Sequence, residues 1–228
     1  MKLPQCELQD QQGVRLVNSK FPPISLFEDV ASPEEFDALF ALQALTNPRL
    51  LNEMGLLNLL PARERPLGIV GAGYAVAPFT HVNPQGSRFS NGDFGVLYLA
   101  DTLDTAIAEV RYHQQQYWQG VEGLHYDRLV FRALLCRFDA SPCADASLLP
   151  VDDAIYHPTN YQAAQQLGAE LRRQAMVGLR YRSVRQVGAL CFAMFTPRQL
   201  RSLVQTSHIE MVWNGQQISG VHQLSTNT

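Results

Sequence analysis

The sequence lacks a strong excess of either charge and lacks any long apolar run. Lys and Arg number 18 against 21 Asp and Glu, which gives a formal net charge of −3. Dedicated nucleic-acid-binding proteins usually carry a basic patch, so we expect no direct nucleic-acid binding. No stretch approaches the roughly 20 apolar residues of a membrane helix, and residues 1–5 do not begin a signal peptide. We therefore expect a cytoplasmic protein without membrane contact.

Cysteine is also scarce, with four residues at Cys6, Cys136, Cys143 and Cys191. They form no C-x-x-C pair, and no histidine lies at zinc-ligand spacing from them. Scattered cysteines in a chain of 228 residues are typical of reduced thiols in a cytoplasmic protein. We expect neither a disulfide framework nor a metal site.

The first part of the chain predicts a helical segment rather than a strand-rich one. The first thirty residues are mixed and interrupted by proline, so we expect an irregular surface arm. Ser32-Pro33-Glu34-Glu35 is a strong helix start with a capping box, and helices are predicted from there to about Leu60. We divide the chain into a helical N-terminal extension, residues 1–66, and one compact unit, residues 67–228.

From residue 67 onward, short apolar runs alternate with turns. Strands are predicted at Leu67–Val70, Tyr74–Ala77, Leu129–Phe138, Leu190–Phe195 and Ile209–Trp213, and helices at about 103–118 and 160–178. Asn214-Gly215 predicts a hairpin after the last of these strands. The order of elements is not a regular β-α-β alternation, which favours an α+β fold over a doubly wound sheet.

Residues 88–109 combine three chemically useful side chains in one turn–strand–helix unit. Arg88 lies in the turn, Tyr98 in the apolar strand and Glu109 in the helix. Leu103, Ile107 and Val110 share one helix face, and Glu109 lies off that face. Taken singly, each residue has an ordinary structural role: Arg88 paired with Asp93 or Asp101, and Tyr98 buried with its hydroxyl satisfied.

Other candidate sites carry weaker patterns. Gly71-Ala72-Gly73 begins like a dinucleotide fingerprint but favours a glycine turn between strands, because no strand–turn–helix order is predicted around it. Ser183 has no G-x-S-x-G elbow around it. The arginines of residues 180–185 suit either a solvated strand face or a phosphate clamp. Glu109 and His113 at i, i+4 are too few to predict a metal site.

Two segments of the chain, one around residues 87–109 and one at residues 178–185, resemble the RES-domain family. The family is named for Arg, Glu and Ser and contains the toxins of bacterial RES–Xre toxin–antitoxin pairs. The matching text is Ser87-Arg88-Phe89-Ser90, Gly95-Val96-Leu97-Tyr98 and Thr105-Ala106-Ile107-Ala108-Glu109, followed by Gly178-Leu179-Arg180-Tyr181-Arg182-Ser183-Val184-Arg185. The resemblance covers about residues 74–197. It departs at Phe89, where shorter members of the family carry Trp.

The resemblance implies an ADP-ribosyltransferase-like α+β fold, with two small, mainly antiparallel sheets around an NAD-binding cleft. It implies degradation of NAD+ as substrate, without a metal, by cleavage of the nicotinamide–ribose bond. Glu109, Arg88 and Ser183 are the expected catalytic residues. The expected NAD-binding residues are Arg88, Tyr98, Ser183 and Arg185. An Xre-type helix-turn-helix antitoxin is the implied partner.

The sequence does not choose the acceptor of the ADP-ribosyl group. Water gives glycohydrolysis, phosphate gives phosphorolysis, and a protein side chain gives ADP-ribosylation. Two alternatives of another class also stay open: a binding module without catalysis, and a serine hydrolase that uses Ser183.

Overall fold

The computed structural model describes residues 3–20 and 57–224, together with positions 32, 35 and 38. Most of the predicted helical segment between residues 32 and 60 lies outside the described residues. One predicted contact is present, because the Ser32 hydroxyl accepts a hydrogen bond from the Glu35 amide at 3.2 Å. The predicted division at residue 66 stays a prediction.

Within residues 3–20 and 57–224 the chain has a mixed α/β fold with seven strands and three α-helices. The strands are β1 (Gln5–Asn18), β2 (Leu97–Ala100), β3 (Asp127–Asp145), β4 (Gly178–Arg182), β5 (Leu190–Met194), β6 (Leu200–Trp213) and β7 (Ile218–Leu224); the helices are α1 (Ala72–Thr80), α2 (Leu103–Gln119) and α3 (Gln162–Arg173). The predicted helix 103–118 and the predicted hairpin after Trp213 are confirmed.

All seven strands belong to one sheet, in the order β1-β2-β5-β4-β3-β6-β7, and β1 also pairs with β3. We expected two sheets. The predicted strand ended at Phe138, but β3 continues for seven residues beyond it, to Asp145. This long strand joins the sheet into one, because it pairs with β1 along one edge and with β6 and then β4 along the other. Pro142 does not interrupt β3, since its carbonyl accepts a hydrogen bond from the Val177 amide at 2.9 Å.

The strands β1, β2, β5, β4 and β3 form a closed ring, because β1 pairs with both β2 and β3. The β1–β2 contact is a single pair, Val14 with Ala100, whereas β1 and β3 pair along most of β1. The ring is therefore least complete between β1 and β2, and an opening in a sheet is a natural place for a binding cleft.

Three predictions about elements are wrong. Residues 5–18 form β1 instead of an irregular arm. The strand was not predicted because it is interrupted by bulges and rich in Gln, and it therefore shows little apolar alternation. Residues 67–70 form turns, and Tyr74–Ala77 belongs to α1 instead of a strand. Six of the nine residues of α1 are buried, and a short run that is apolar on most sides cannot be assigned by periodicity.

The three helices pack against the sheet through two apolar clusters. One cluster contains Trp118 of α2 and Leu167 of α3, packed with residues of the sheet. The other contains Val76 and Phe79 of α1. Gly71 caps α1 at a φ of 77°, and a Cβ there would lie 2.1 Å from the Leu203 carbonyl oxygen. Because turns, not a strand, precede Gly71, the dinucleotide-binding arrangement is absent from these residues.

Candidate functional site

A cleft of about 490 Å³ opens where β1 and β2 separate. Its walls come from residues 14–16 of β1, residues 98–100 of β2 and one side of α2. The turn before β2 closes one end with Ser87 and Arg88, and Tyr161 also lines the cleft. Three of the predicted site residues, Arg88, Tyr98 and Glu109, line this one cleft.

Glu109 is oriented from behind by Ser183. The Ser183 hydroxyl donates a hydrogen bond to Glu109 Oε1 at 2.6 Å. Ser183 Oγ in turn accepts hydrogen bonds from the Arg185 and Gln186 backbone amides at 3.1 and 3.0 Å. These amides fix the serine in the turn after β4, so one carboxylate oxygen of Glu109 is held in place.

This geometry places Ser183 beside the cleft instead of in its wall. Its hydroxyl proton is directed at Glu109, and its oxygen accepts hydrogen bonds from two backbone amides. A serine nucleophile needs a histidine or equivalent base within reach. The arrangement fits a residue that positions a carboxylate.

The side chain of Tyr98 in β2 is held at its hydroxyl group. Its hydroxyl lies 2.8 Å from Ser87 Oγ and accepts a hydrogen bond from the Phe89 amide at 2.9 Å. Burial raises the pKa of Tyr98 to about 12, so the phenol stays protonated at neutral pH. The ring is therefore a neutral, rigid wall of the cleft.

Arg88 is not paired with Asp93 or Asp101, the two partners that the sequence suggested for an ordinary structural role. Its guanidinium donates to the carbonyl oxygens of Ile155 and His157, each at 3.0 Å. It also lies 4.5 Å from the centroid of the Tyr161 ring. Asp93 accepts from the Asn91 amide group, and Asp101 accepts from the Leu190 amide. Arg88 is thus a positive charge held by neutral groups.

Arg185 lies outside the wall of the cleft. Its guanidinium carbon stacks 3.3 Å from the centroid of the Tyr112 ring, and it donates to the Pro158 carbonyl. Two of the predicted NAD-binding residues, Ser183 and Arg185, are therefore not among the residues that line the cleft. Both still lie next to it, one behind Glu109 and one beside α2.

Sequence reasoning missed Arg15, which projects from β1 into the cleft. Its Nη1 donates to the Tyr98 carbonyl at 3.3 Å, and its buried Nε has no hydrogen-bond partner among the described residues. Burial lowers the pKa of Arg15 to about 10, so it remains charged at neutral pH. Arg15 could not be placed in the cleft from sequence, because the strand that carries it was predicted to be an irregular surface arm.

His113, one turn after Glu109 on α2, also lines the cleft. Burial lowers its pKa, the charges of Arg185 and Arg88 add to that effect, and Glu109 opposes it. The imidazole is therefore mainly neutral at pH 7. Tyr181 lines the same wall and packs edge-on against Phe89, with ring centroids 4.8 Å apart.

The cleft has charges of both signs on an otherwise neutral aromatic and apolar lining. Arg15 and Arg88 supply positive charge, and Glu109 supplies negative charge. Such a cleft can hold an anionic group at the arginines and can stabilise a positive charge that develops near the carboxylate. The described residues include no group of three or more His, Cys, Asp or Glu that could hold a metal ion.

A family model for the RES domain matches residues 65–214. The chain belongs to the RES domain family. The uncharacterized protein y4oC of Sinorhizobium fredii (strain NBRC 101917 / NGR234) is 31% identical to it over 209 residues, which cover 90% of this chain and 84% of that protein. The RES match includes Arg88, Tyr98, Glu109 and Ser183, and leaves β1 with Arg15 outside.

Among solved structures, one chain of the M. tuberculosis MbcT–MbcA toxin–antitoxin complex is similar, with a TM-score of 0.41 and 11% identity. The similarity covers 89% of this chain and 87% of that chain. In the part of the RES protein that the structure describes, no helix is long and apolar enough to cross a membrane.

Proposed function

We propose that this RES-domain protein cleaves the bond between nicotinamide and ribose in NAD+. The observation that carries the proposal is the arrangement of Glu109, held by Ser183 at 2.6 Å, in the same cleft as Arg15 and Arg88. A carboxylate and two guanidinium groups match a substrate that develops positive charge at one point and carries phosphates at another. The cleft, about 490 Å³, falls in the usual range for ligand sites, roughly 300–1,000 Å³.

Glu109 is the residue to which we assign the chemistry. Cleavage of the nicotinamide–ribose bond proceeds through an oxocarbenium-like ribose, as glycoside cleavage does. A carboxylate fixed beside the ribose stabilises the positive charge of this transition state. Nicotinamide leaves as a neutral molecule, and the acceptor then attacks the anomeric carbon. Ser183 keeps the carboxylate oriented and takes no part in bond making.

Tyr98 and the two arginines are assigned to substrate binding. A buried phenol ring offers a flat face to the nicotinamide, and its fixed hydroxyl keeps that face in place. The diphosphate is an anion that guanidinium groups bind well. Arg15 is the stronger candidate for this contact, because its Nε is unpaired among the described residues, whereas Arg88 already donates to two carbonyls.

The proposal includes a biological role as the toxin of a toxin–antitoxin pair, with an Xre-type antitoxin as partner. Membership of the RES family supports this role. Expression of the chain alone should lower the cellular NAD+ level and arrest growth, and co-expression of a neighbouring helix-turn-helix gene should restore both. Growth arrest with an unchanged NAD+ level would contradict the NAD+ part of the proposal.

The enzymatic test follows the products of NAD+ with purified protein. NAD+ labelled in the ADP-ribosyl part should yield free nicotinamide together with labelled ADP-ribose in phosphate-free buffer, or ADP-ribose 1″-phosphate when phosphate is the acceptor. Label that appears on protein identifies ADP-ribosylation, the alternative acceptor chemistry. If the purified protein releases no nicotinamide under any of these conditions, the proposed reaction is wrong.

A further inference from the structure

Two of the four cysteines face each other across neighbouring strands. Cys6 on β1 is the register partner of Cys143 on β3. The two thiols also lie within hydrogen-bonding reach of each other. The other two cysteines have different neighbours, because Cys136 lies opposite Gly13 and Cys191 lies opposite Ala100 and Tyr181.

The backbone spacing at this pair is suitable for a disulfide. The Asp145 amide donates to the Pro4 carbonyl at 2.9 Å, so Pro4 and Asp145 occupy a hydrogen-bonded position of the antiparallel ladder. Because such positions alternate, Cys6 and Cys143 occupy the next one, where Cα atoms lie about 5.5 Å apart. Disulfides span Cα separations of roughly 4.4–6.8 Å.

The ladder next to the pair has the freedom that bond formation requires. A disulfide brings the Cβ atoms to about 3.8 Å, somewhat closer than an ordinary hydrogen-bonded strand pair. Register irregularities follow between Cys6 and Leu8 and between Leu8 and Gln11, and Asp10 in that stretch has a φ of 47°. The first residues of β1 can therefore shift slightly without moving the regular part of the strand.

The two thiols differ in their access to solvent. Cys6 is partly exposed, and Cys143 is almost fully buried. Burial raises the pKa of the Cys143 thiol, an effect to which Cys6 adds and which the nearby Arg180 charge opposes. Arg180 is in turn paired with Asp145. Cys6 is thus the thiol that a dissolved oxidant reaches first, and Cys143 is placed to react second.

We propose that Cys6 and Cys143 are a reversible oxidation site, at which a low-molecular-weight disulfide such as oxidised glutathione closes a cross-strand disulfide between β1 and β3.

The reaction is two successive thiol–disulfide exchanges. The Cys6 thiolate attacks one sulfur of the oxidant, which forms a mixed disulfide and releases the first glutathione thiolate. The Cys143 thiol then loses its proton to solvent and attacks the Cys6 sulfur as a thiolate, which closes the Cys6–Cys143 bond and releases the second glutathione thiolate. The protein loses two electrons and two protons, and one oxidised glutathione becomes two reduced glutathiones.

The Cys6–Cys143 disulfide links the first residues of β1 covalently to β3. The bulges separate these residues from the rest of β1. Before the bulges, β1 pairs with β3 only through its first residues, whereas from Gln11 to Asn18 the pairing is continuous. A covalent bond at Cys6 limits local opening of that short ladder. Val14, Arg15 and Leu16, which line the cleft, lie in the continuous part and keep their places.

The test is oxidation of the folded protein with oxidised glutathione, followed by acid quenching, trapping of free thiols and peptide mass mapping. The expected product is one intramolecular link between the Cys6 and Cys143 peptides, with Cys136 and Cys191 still free and full reversal by dithiothreitol. Amide hydrogen exchange of residues 5–8 should slow in the oxidised protein, while exchange in the β6–β7 hairpin stays unchanged.

Variants separate this site from general thiol oxidation. Cys143→Ala should stop the reaction at the Cys6–glutathione mixed disulfide, and Cys136→Ala, a buried cysteine without a cysteine partner, should still form the link. Circular dichroism checks that each variant is folded. The proposal is overturned if wild-type Cys6 remains a free thiol or a mixed disulfide, or if it links to another cysteine or another chain.

Discussion

At the scale of single residues, the hydrogen bond from Ser183 to Glu109 determines how well the carboxylate is placed. A hydrogen bond to a charged group contributes about 1.5–3 kcal/mol, so we expect Ser183→Ala to lower kcat by roughly 10- to 100-fold with little change in KM. Ser183→Thr, which keeps the hydroxyl, should recover much of the rate. Steady-state kinetics with NAD+ measure both parameters. A variant that raises KM alone would show that Ser183 serves binding instead.

Arg15 is the residue that distinguishes this cleft from the one expected from sequence. Removal of a charged contact to the diphosphate should raise KM for NAD+, by about 10-fold or more for Arg15→Gln. Arg137→Gln provides the control, because Arg137 is also on a strand but is exposed. Equal KM values for Arg15→Gln and wild type would show that Arg15 does not bind the diphosphate of NAD+.

His113 links the cleft to pH-dependent stability. Its pKa in the folded protein is lowered from 6.5, with burial as the largest cause. As pH falls below about 6.5, the unfolded chain takes up a proton before the folded chain does, so the free energy of unfolding decreases. We expect His113→Gln to lose less stability than wild type between pH 7.5 and pH 5.5 in urea denaturation. An identical loss in both proteins would contradict this assignment.

At the scale of elements, α3 fixes the turn that carries Arg88. Gly168 of α3 packs on the backbone of Phe89, where a Cβ would lie 2.0 Å from the carbonyl oxygen. Ala normally stabilises a helix relative to Gly by up to about 1 kcal/mol, but the clash should reverse the sign. We expect Gly168→Ala to lower the free energy of unfolding by about 1–3 kcal/mol and to weaken NAD+ binding.

Gly120→Ala is the matched control for this prediction. Gly120 follows α2 with a φ of −82°, and a Cβ there would meet its nearest atom at 3.5 Å, an ordinary contact. Thermal unfolding should show a lower Tm for Gly168→Ala and little change for Gly120→Ala. A Gly168→Ala protein as stable as wild type would mean that α3 can move away from the Arg88 turn.

The elements also show what could be predicted from sequence. The turn, β2 and α2 are local, with a clear N-cap at Thr102, so Arg88, Tyr98 and Glu109 could be placed on them in advance. Their convergence in one cleft, and the inclusion of Ser183 among the site residues, came only from the resemblance to the RES family. α1 and β1 were missed because their conformation depends on burial and on pairing with distant strands, which propensity does not encode.

At the scale of the whole molecule, the cleft depends on how the ring of strands closes. The single β1–β2 pair leaves a cleft between these two strands, and β3 holds β1 in place over a sequence separation of more than a hundred residues. No local pattern predicts such a seam. The proposed oxidation site lies at the far end of β1, so oxidation and NAD+ cleavage can be tested separately.

Glu109 carries out the cleavage of NAD+ in the proposed mechanism, and the initial rate of nicotinamide release measures this role directly. Wild-type protein and Glu122→Gln, a change at an exposed glutamate just beyond α2, should release nicotinamide at the same rate. Glu109→Gln, with an unchanged circular dichroism spectrum, should be slower by at least about 100-fold. A folded Glu109→Gln protein that cleaves NAD+ at the wild-type rate would contradict the assignment of this chemistry to Glu109.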